Sequence, residues 1–322
     1  MIVNWNSGPL LRSCLEALRA QTRPPDAVMV VDNASTDGSA DALESTDPRL
    51  EVLRLGTNVG FAAANNRAVA SLGTTWVALL NPDAFPDPDW LSSLLAAAES
   101  HPEFSLFASR LLRADDPSRL DGTGDVYYAS GLAARRDHGR HVSGGATRAP
   151  EEVFGPCAAA ALLPVEAFRA HGGFDESYFC YFEDVDLAFR LRLSGHRCLY
   201  VPAAVARHVG SASAGARSDF TLYHGHRNLV WTFFKDMPLG LLVLYLPQHV
   251  LLNLVSLVYF ASRGQGRAIA RAKWDALRGL PRVLRERTRV QRTRTVGAWA
   301  LRRLFRRGWF APYGERLRDG AR

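Results

Sequence analysis

Two adjacent carboxylates, Glu183 and Asp184, stand inside the stretch FCYFEDVDLAFRLR at residues 179–192, just where a helix should begin. Val185, Leu187, Ala188, Phe189, Leu191 and Leu193 would bury that helix, Asp186 and Arg190 stand one turn apart, and Gly195 suits the C′ position. An acid fixed at the start of a buried helix is a candidate proton acceptor, and the N-terminal dipole favours its ionised form. Neighbouring helical positions point about 100° apart, so the two acids are expected to play two roles. Asp184 is the candidate catalytic base, and Glu183 orients an acceptor or caps the helix. The alternative is a pair of solvated first-turn acids.

Other groups with chemistry follow hydrophobic runs. Asn81-Pro82-Asp83 ends the run WVALL, and a carboxylate there could hold Mg²⁺ or Mn²⁺ together with substrate phosphate oxygens, or the stretch is an Asn-Pro turn. Asp32 could accept hydrogen bonds from a nucleobase or ribose, while Asp37 and Ser39 could cap the next helix. His208 lies between an apolar strand and a Gly/Ser-rich loop, as a ligand or a structural histidine. Arg227, near a helix start, could contact phosphate or solvate the helix surface. Gly155 leads into a small-residue run, and the pair at 172 and 173 permits close backbone approach beside the acidic helix.

The elements that must position these residues alternate. Strands are expected at residues 2–5, 27–31, 50–55, 76–80 and 104–111, with helices at 9–20, 61–72 and 88–100 and another after Ser39. Such alternation predicts an α/β fold with a mostly parallel central sheet flanked by helices, and ligands at the carboxyl ends of its strands. That rule selects Asn4, Asp32 and residues 81–83. Residues 113–152 lack periodicity and read as a functional loop or lid, or as a variable surface insertion. No glycine-rich dinucleotide or P-loop motif occurs, which excludes those two enzyme classes.

With 322 residues and 47% hydrophobic content the chain can build a large domain plus an appendage. Its four cysteines form no C-x-x-C pair and no secretory leader is evident, so a reducing cytosolic setting is expected. The opening strand is short, and a start further upstream would explain that. Charge is uneven: residues 263–322 carry 18 Lys/Arg against 4 Asp/Glu, which leaves a mildly acidic body before a basic tail.

In their order, VNWNS, VVDNASTDGS, NVGFAAANN, LLNPDA, GGFDESYF, FEDVDLAFRLRLSG and RHVGS resemble the family-2 inverting glycosyltransferases of the GT-A fold, especially rhamnosyltransferase-like members that extend cell-surface glycans. The resemblance covers residues 1–236, the expected catalytic domain. It implies that Asn4, Asp32, Asn58 and Gly60 line a nucleotide pocket, that Asp83 is the metal-binding acid, and that His208 joins the metal or diphosphate. It also implies that Asp184 is the base. Asn81 replaces the first acid of the family's D-x-D motif and removes one charge. The implied donor is a nucleotide-diphospho-sugar, with dTDP-rhamnose or a UDP-hexose or UDP-galactofuranose as alternatives, and the implied acceptor is a lipid-linked glycan. The Q-x-x-R-W signature of processive synthases is absent.

Residues 237–322 form the second expected unit, an apolar segment and a basic tail. Residues 239–261 are long enough to span a bilayer, which needs about 20 residues. Yet a single span would part the tail from a cytosolic catalytic domain, against the positive-inside rule. The expectation is therefore two short helices broken near Pro247 that dip into the cytoplasmic leaflet of the cell membrane. Ala268, Ile269, Ala272, Ala276, Leu277 and Leu280 would turn toward lipid, with basic residues on anionic headgroups. Burial against the catalytic domain or in a homo-oligomer is the alternative. Nucleic acid is not an expected partner, because the tail lacks interleaved aromatic stacking platforms.

Overall fold

The structure, a computed structural model, describes residues 1–41, 43, 49–142, 149–210 and 218–309. Strand β1 (Ile2–Asn4), helix α1 (Leu10–Arg19) and strands β2 (Val28–Asp32) and β3 (Leu50–Arg54) come first. Helix α2 (Gly60–Ser71) and strand β4 (Trp76–Leu80) follow. Leu11, Cys14, Leu15 and Leu18 form the buried stripe of α1, and α2 buries small residues at 62–64 and 68 that let it lie close to the sheet. Most of the helical segment expected after Ser39 falls outside the described residues.

Strands β1, β2 and β3 pair in parallel, setting Asn4 opposite Asp32 and Asp32 opposite Arg54. The Met1 amino group donates to the Ala78 carbonyl (2.7 Å) and the Leu80 amide to the Met1 carbonyl (3.0 Å), which lays β1 against β4. Next come β5 (Ala84–Pro86), α3 (Trp90–Ser100) and β6 (Leu106–Arg113), then three short strands, β7 (Leu120–Gly122), β8 (Asp125–Tyr127) and β9 (Ala133–Arg135). Strands β10 (Glu151–Val153) and β11 (Ala160–Pro164), helices α4 (Val165–Ala170) and α5 (Glu183–Leu193), and strand β12 (Cys198–His208) complete the sheet region.

The sheet is mixed rather than mostly parallel. Beyond β4 its order is β11-β6-β12-β10, in which β11 is antiparallel to both neighbours, β10 is antiparallel to β12, and only β6 with β12 is parallel. The alternation of strand and helix that argues for parallel pairing stops after α3. The chain then runs through short strands without helical crossovers and returns in the opposite sense. Residues 113–152 are accordingly not a surface insertion. They supply β7 to the main sheet and bury Tyr127 and Tyr128, although residues 143–148 lie outside the described set.

Helix α5 is buried at every position except Asp184, with Gly195 at φ +96° just past its end. Helix α6 (Asp219–Asp236) leads to α7 (Leu239–Phe260), α8 (Gly266–Arg292) and the short α9 (Ala298–Arg302). Two sequence expectations fail here. Helix α7 continues through Pro247 without a break, and the chain instead turns at Gly264, whose φ is +82°. Of the polar residues in α7, Asn253 donates to the His249 carbonyl (2.7 Å) and Ser256 to that of Leu252 (2.7 Å), while His249 Nδ1 lies 2.8 Å from the Ser130 carbonyl oxygen. In α8, Ile269, Ala272 and Ala276 turn inward, so the face expected to meet lipid is largely core. There the Trp231 indole donates to the Ala276 carbonyl (3.0 Å).

Candidate active site

The carboxyl ends of β1, β2, β4 and β12 carry the first cluster. Asn4 is fully buried, and its amide reaches Asp32 Oδ1 (3.1 Å), Ser35 Oγ (3.0 Å) and Ser39 Oγ (2.9 Å). Those contacts orient the Asp32 carboxylate. The Asn58 side-chain oxygen accepts from the Gly60 amide and from the buried Asn33 amide, both at 2.9 Å, so Asn58 holds the turn. Gly60 has φ +85°, and a Cβ there would stand 2.6 Å from the Phe179 carbonyl oxygen. Its role is to let that loop approach.

Asp83 and His208 lie side by side. His208 Nε2 lies 3.3 Å from Asp83 Oδ1 and 3.4 Å from the Asn81 amide nitrogen, while Nδ1 lies 2.7 Å from Asp121 Oδ2. Asp121 also takes Arg135 and His138 as partners. Burial by itself would lower the His208 pKa, but its hydrogen bonds to the Asp121 and Asp83 carboxylates raise it. Burial of Asp121 is likewise overcome, by His138, His208 and Arg135, so its carboxyl stays far below the usual range. Among the described residues no three His, Cys, Asp or Glu side chains converge as a metal cage.

The second cluster lies at the start of α5. Asp184 accepts from the Val185 amide through Oδ1 (2.8 Å) and from the Ala158 amide through Oδ2 (3.1 Å). Burial nonetheless raises its pKa above the ordinary value, against those two donors. Glu183 is raised much further, by burial and then by Asp184, and its Oε2 has no hydrogen-bond partner among the described residues. The helix dipole, expected to keep both acids low, loses to desolvation. Asp125 on β8 is a further buried carboxyl, pushed well up by burial and by Asp184. Arg135 connects the clusters electrostatically, pairing with Asp121 and pulling on both Asp125 and Asp184.

Two expected binding residues have structural work instead. Arg227 donates to the Ser177 (3.1 Å) and Tyr178 (3.0 Å) carbonyls, and its guanidinium lies 4.3 Å over the Trp231 ring. Its neighbour Asn228 donates to the carbonyls of Tyr178 (3.0 Å), Cys180 (3.0 Å) and Tyr181 (2.7 Å). Together they hold the loop that enters α5. Gly155 faces the same helix: a Cβ there would come within 2.6 Å of the Ala188 Cβ, so its lack of a side chain is a packing requirement. Asp121, Asp125, Arg135 and Asn228 are the residues that sequence reasoning missed, and no motif marks them.

Residues 1–163 match the family model described as Glycosyl transferase family 2. The chain is 30% identical over 266 residues to N-acetylglucosaminyl-diphospho-decaprenol L-rhamnosyltransferase of Mycobacterium tuberculosis, a match covering 74% of this chain and 84% of that one. It is 32% identical over 234 residues to the pre-mycofactocin glycosyltransferase of the same organism, covering 63% and 48%. Among solved structures it resembles the mannosyltransferase PcManGT from Pyrobaculum calidifontis in complex with GDP-Man and Mn²⁺, with TM-score 0.54, 21% identity, and 91% and 83% of the two chains covered. GalNAc-T7 with UDP, GalNAc and Mn²⁺ also has TM-score 0.54, at 14% identity over 64% and 42% of the chains. These likenesses show the fold, the GT-A arrangement.

Proposed function

We propose, on the premise that the chain belongs to glycosyl transferase family 2, that it moves L-rhamnose from dTDP-rhamnose, with inversion, onto a lipid-linked cell-surface glycan. The observation that carries this reading is the pairing of two acid sites: Asp83 with His208, and Asp184 held by two backbone amides. The L-rhamnosyltransferase relative supports the sugar and the lipid-linked acceptor. Inverting transfer needs a carboxylate that takes the acceptor hydroxyl's proton as the oxygen attacks the anomeric carbon, and Asp184 has that role. Asp32, oriented by Asn4, binds the nucleoside.

Asp83 and His208 fit a divalent ion, Mg²⁺ or Mn²⁺. One carboxylate oxygen and one imidazole nitrogen face each other, and Asp121 fixes the ring as carboxylates do behind metal-bound histidines. With only two protein ligands, the remaining positions suit diphosphate oxygens. Such an ion would neutralise the charge developing on the departing diphosphate. The test is thermal unfolding with a panel of nucleotide sugars and Mn²⁺. dTDP-rhamnose with Mn²⁺ should stabilise the wild type by about 2.7 kcal/mol at one hundred times its Kd. Asp121→Asn should weaken Mn²⁺ binding about tenfold or more, read by paramagnetic resonance. Equal stabilisation by unrelated nucleotides, or unaltered Mn²⁺ affinity, would contradict the respective parts.

The same reading places the protein on the cytoplasmic face of the cell membrane. Leu241, Tyr245, His249, Leu252 and Ser256 are buried along the whole length of α7, which therefore lies along the protein instead of projecting from it. Its opposite side exposes Leu239, Val243, Leu254 and Val258. The outward face of α8 alternates Arg271, Arg278 and Arg285 with Trp274, Leu277 and Leu284, the composition of a helix that rests in a headgroup layer. Co-sedimentation with vesicles containing anionic lipid, reduced by high salt, is the expected result. Complete recovery in the supernatant at low salt would refute the membrane contact.

A further inference from the structure

The loop that delivers Glu183 to α5 has a backbone its residues should resist. Phe179, Tyr181 and Phe182 have φ of +66°, +68° and +70°. Bulky side chains in the left-handed region are held there at a cost of about 1–3 kcal/mol each. Asn228, fully buried, supplies the compensation through its hydrogen bonds to three carbonyls of the loop. Glycine or asparagine would make the same turns with less strain. Strain maintained with aromatic residues indicates that the side chains, rather than the turn itself, are what the loop presents.

Two of those side chains meet the first turns of α6. The Phe179 ring stacks on His224 with centroids 5.3 Å apart and 23° between planes. Phe220 closes the group, 4.5 Å from His224, 6.1 Å from Phe179 and 6.3 Å from Tyr181. The Tyr181 hydroxyl lies 3.2 Å from Thr221 Oγ1, which fixes its ring as well. Burial and then the neighbouring Arg227 lower the His224 pKa to about 4, so it stacks as a neutral ring. Phe220 remains 39% exposed, and Phe179 and Tyr181 are partly exposed. Rigid, half-exposed rings beside polar atoms suit the apolar face of a pyranose, which offers C–H groups to the ring and hydroxyls at its rim.

We propose that Phe179, Tyr181, Phe220 and His224 form the subsite that binds the acceptor's sugar ring, setting its hydroxyl toward Asp184. The inference rests on the glycosyl-transfer reading above and names the recognition element of that site. Asp184 stands in the first turn of α5, directly after the loop that carries Phe179 and Tyr181, so the platform and the base belong to one continuous segment.

The probe is octyl N-acetylglucosaminide, titrated against the full chain with and without donor and followed by saturation-transfer NMR of its ring protons. Phe220→Ala changes an exposed side chain outside the strained loop, and Phe220→Trp keeps an aromatic face. The expected result is about tenfold weaker saccharide binding in Phe220→Ala, restoration in Phe220→Trp, and unchanged dTDP-rhamnose affinity in both. Unchanged saccharide affinity in Phe220→Ala overturns the inference, as does a loss confined to donor binding. A loss seen with a long isoprenoid acceptor but not with the octyl glycoside assigns the platform to the lipid and overturns it too. A wild type that binds donor but no saccharide overturns this inference alone, whereas one that binds no nucleotide sugar overturns the proposed function beneath it.

Discussion

Asp184→Asn is expected to lower kcat by about 10²- to 10⁴-fold while donor still binds, because the variant cannot take the acceptor's proton. Asp184 uses both oxygens on backbone amides, at 2.8 and 3.1 Å. Asparagine keeps one acceptor and turns an NH₂ group toward the other amide, which adds a stability cost of about 1–3 kcal/mol. Unfolding measurements at the assay temperature separate that cost from the chemical one. The wild type carries a second signature. Its base has a raised pKa, so the proton leaves only at higher pH than from an ordinary carboxyl. kcat/KM should therefore fall as pH drops through that raised value, with its acid limb above the pH of about 4 typical of an exposed aspartate. Full transfer by Asp184→Asn with normal donor binding would move the base to Glu183 or Asp125, the buried carboxyls that interact with it electrostatically.

Several parts of this site that could be read from the sequence lie at strand ends, and the acids of α5 at the start of a strongly apolar helix. Asn4, Asp32, Asn81, Asp83 and His208 follow apolar runs, and strand ends are where an α/β sheet gathers its ligands. Asp121, Asp125 and Arg135 sit on three-residue strands inside a stretch without periodicity, and their meeting with His208 and Asp184 is entirely tertiary. Arg227 shows the converse failure. An arginine near a helix start looks like an anion ligand, but the carbonyls it serves belong to a loop about 50 residues earlier, whose position no local pattern fixes. In α7 composition gave the apolar character and not the direction of its faces, since nearly every residue is hydrophobic and only packing decides which side is core.

The end of α6 is where this limit has its largest energetic consequence, and Lys235→Met is expected to destabilise the fold by about 3–5 kcal/mol. Lys235 resembles an ordinary solvated residue in a last helical turn, yet it is 2% exposed. Its ammonium lies 2.8 Å from Asp175 and 2.5 Å from Asp186, while Arg190 pairs with Asp186 at 2.7 Å and Arg282 of α8 approaches Asp175 at 3.4 Å. Burial, then Asp186, pushes the Asp236 carboxyl well up, so it stays neutral, and Asp175 and Asp186 are the acids that Lys235, Arg190 and Arg282 hold ionised. Methionine keeps the volume and removes both Lys235 ion pairs from the buried cluster, leaving Asp186 with Arg190 and Asp175 with the more distant Arg282. Urea unfolding measures the loss, and Lys235→Met combined with Asp186→Asn should cost less than the sum of the two single substitutions, because both remove the same ion pair. An unaltered midpoint in Lys235→Met would show that water reaches the cluster. Asp186 is two residues beyond Asp184 on the same helix, so the ions that tie α5 to α6 and α8 also fix where the base stands.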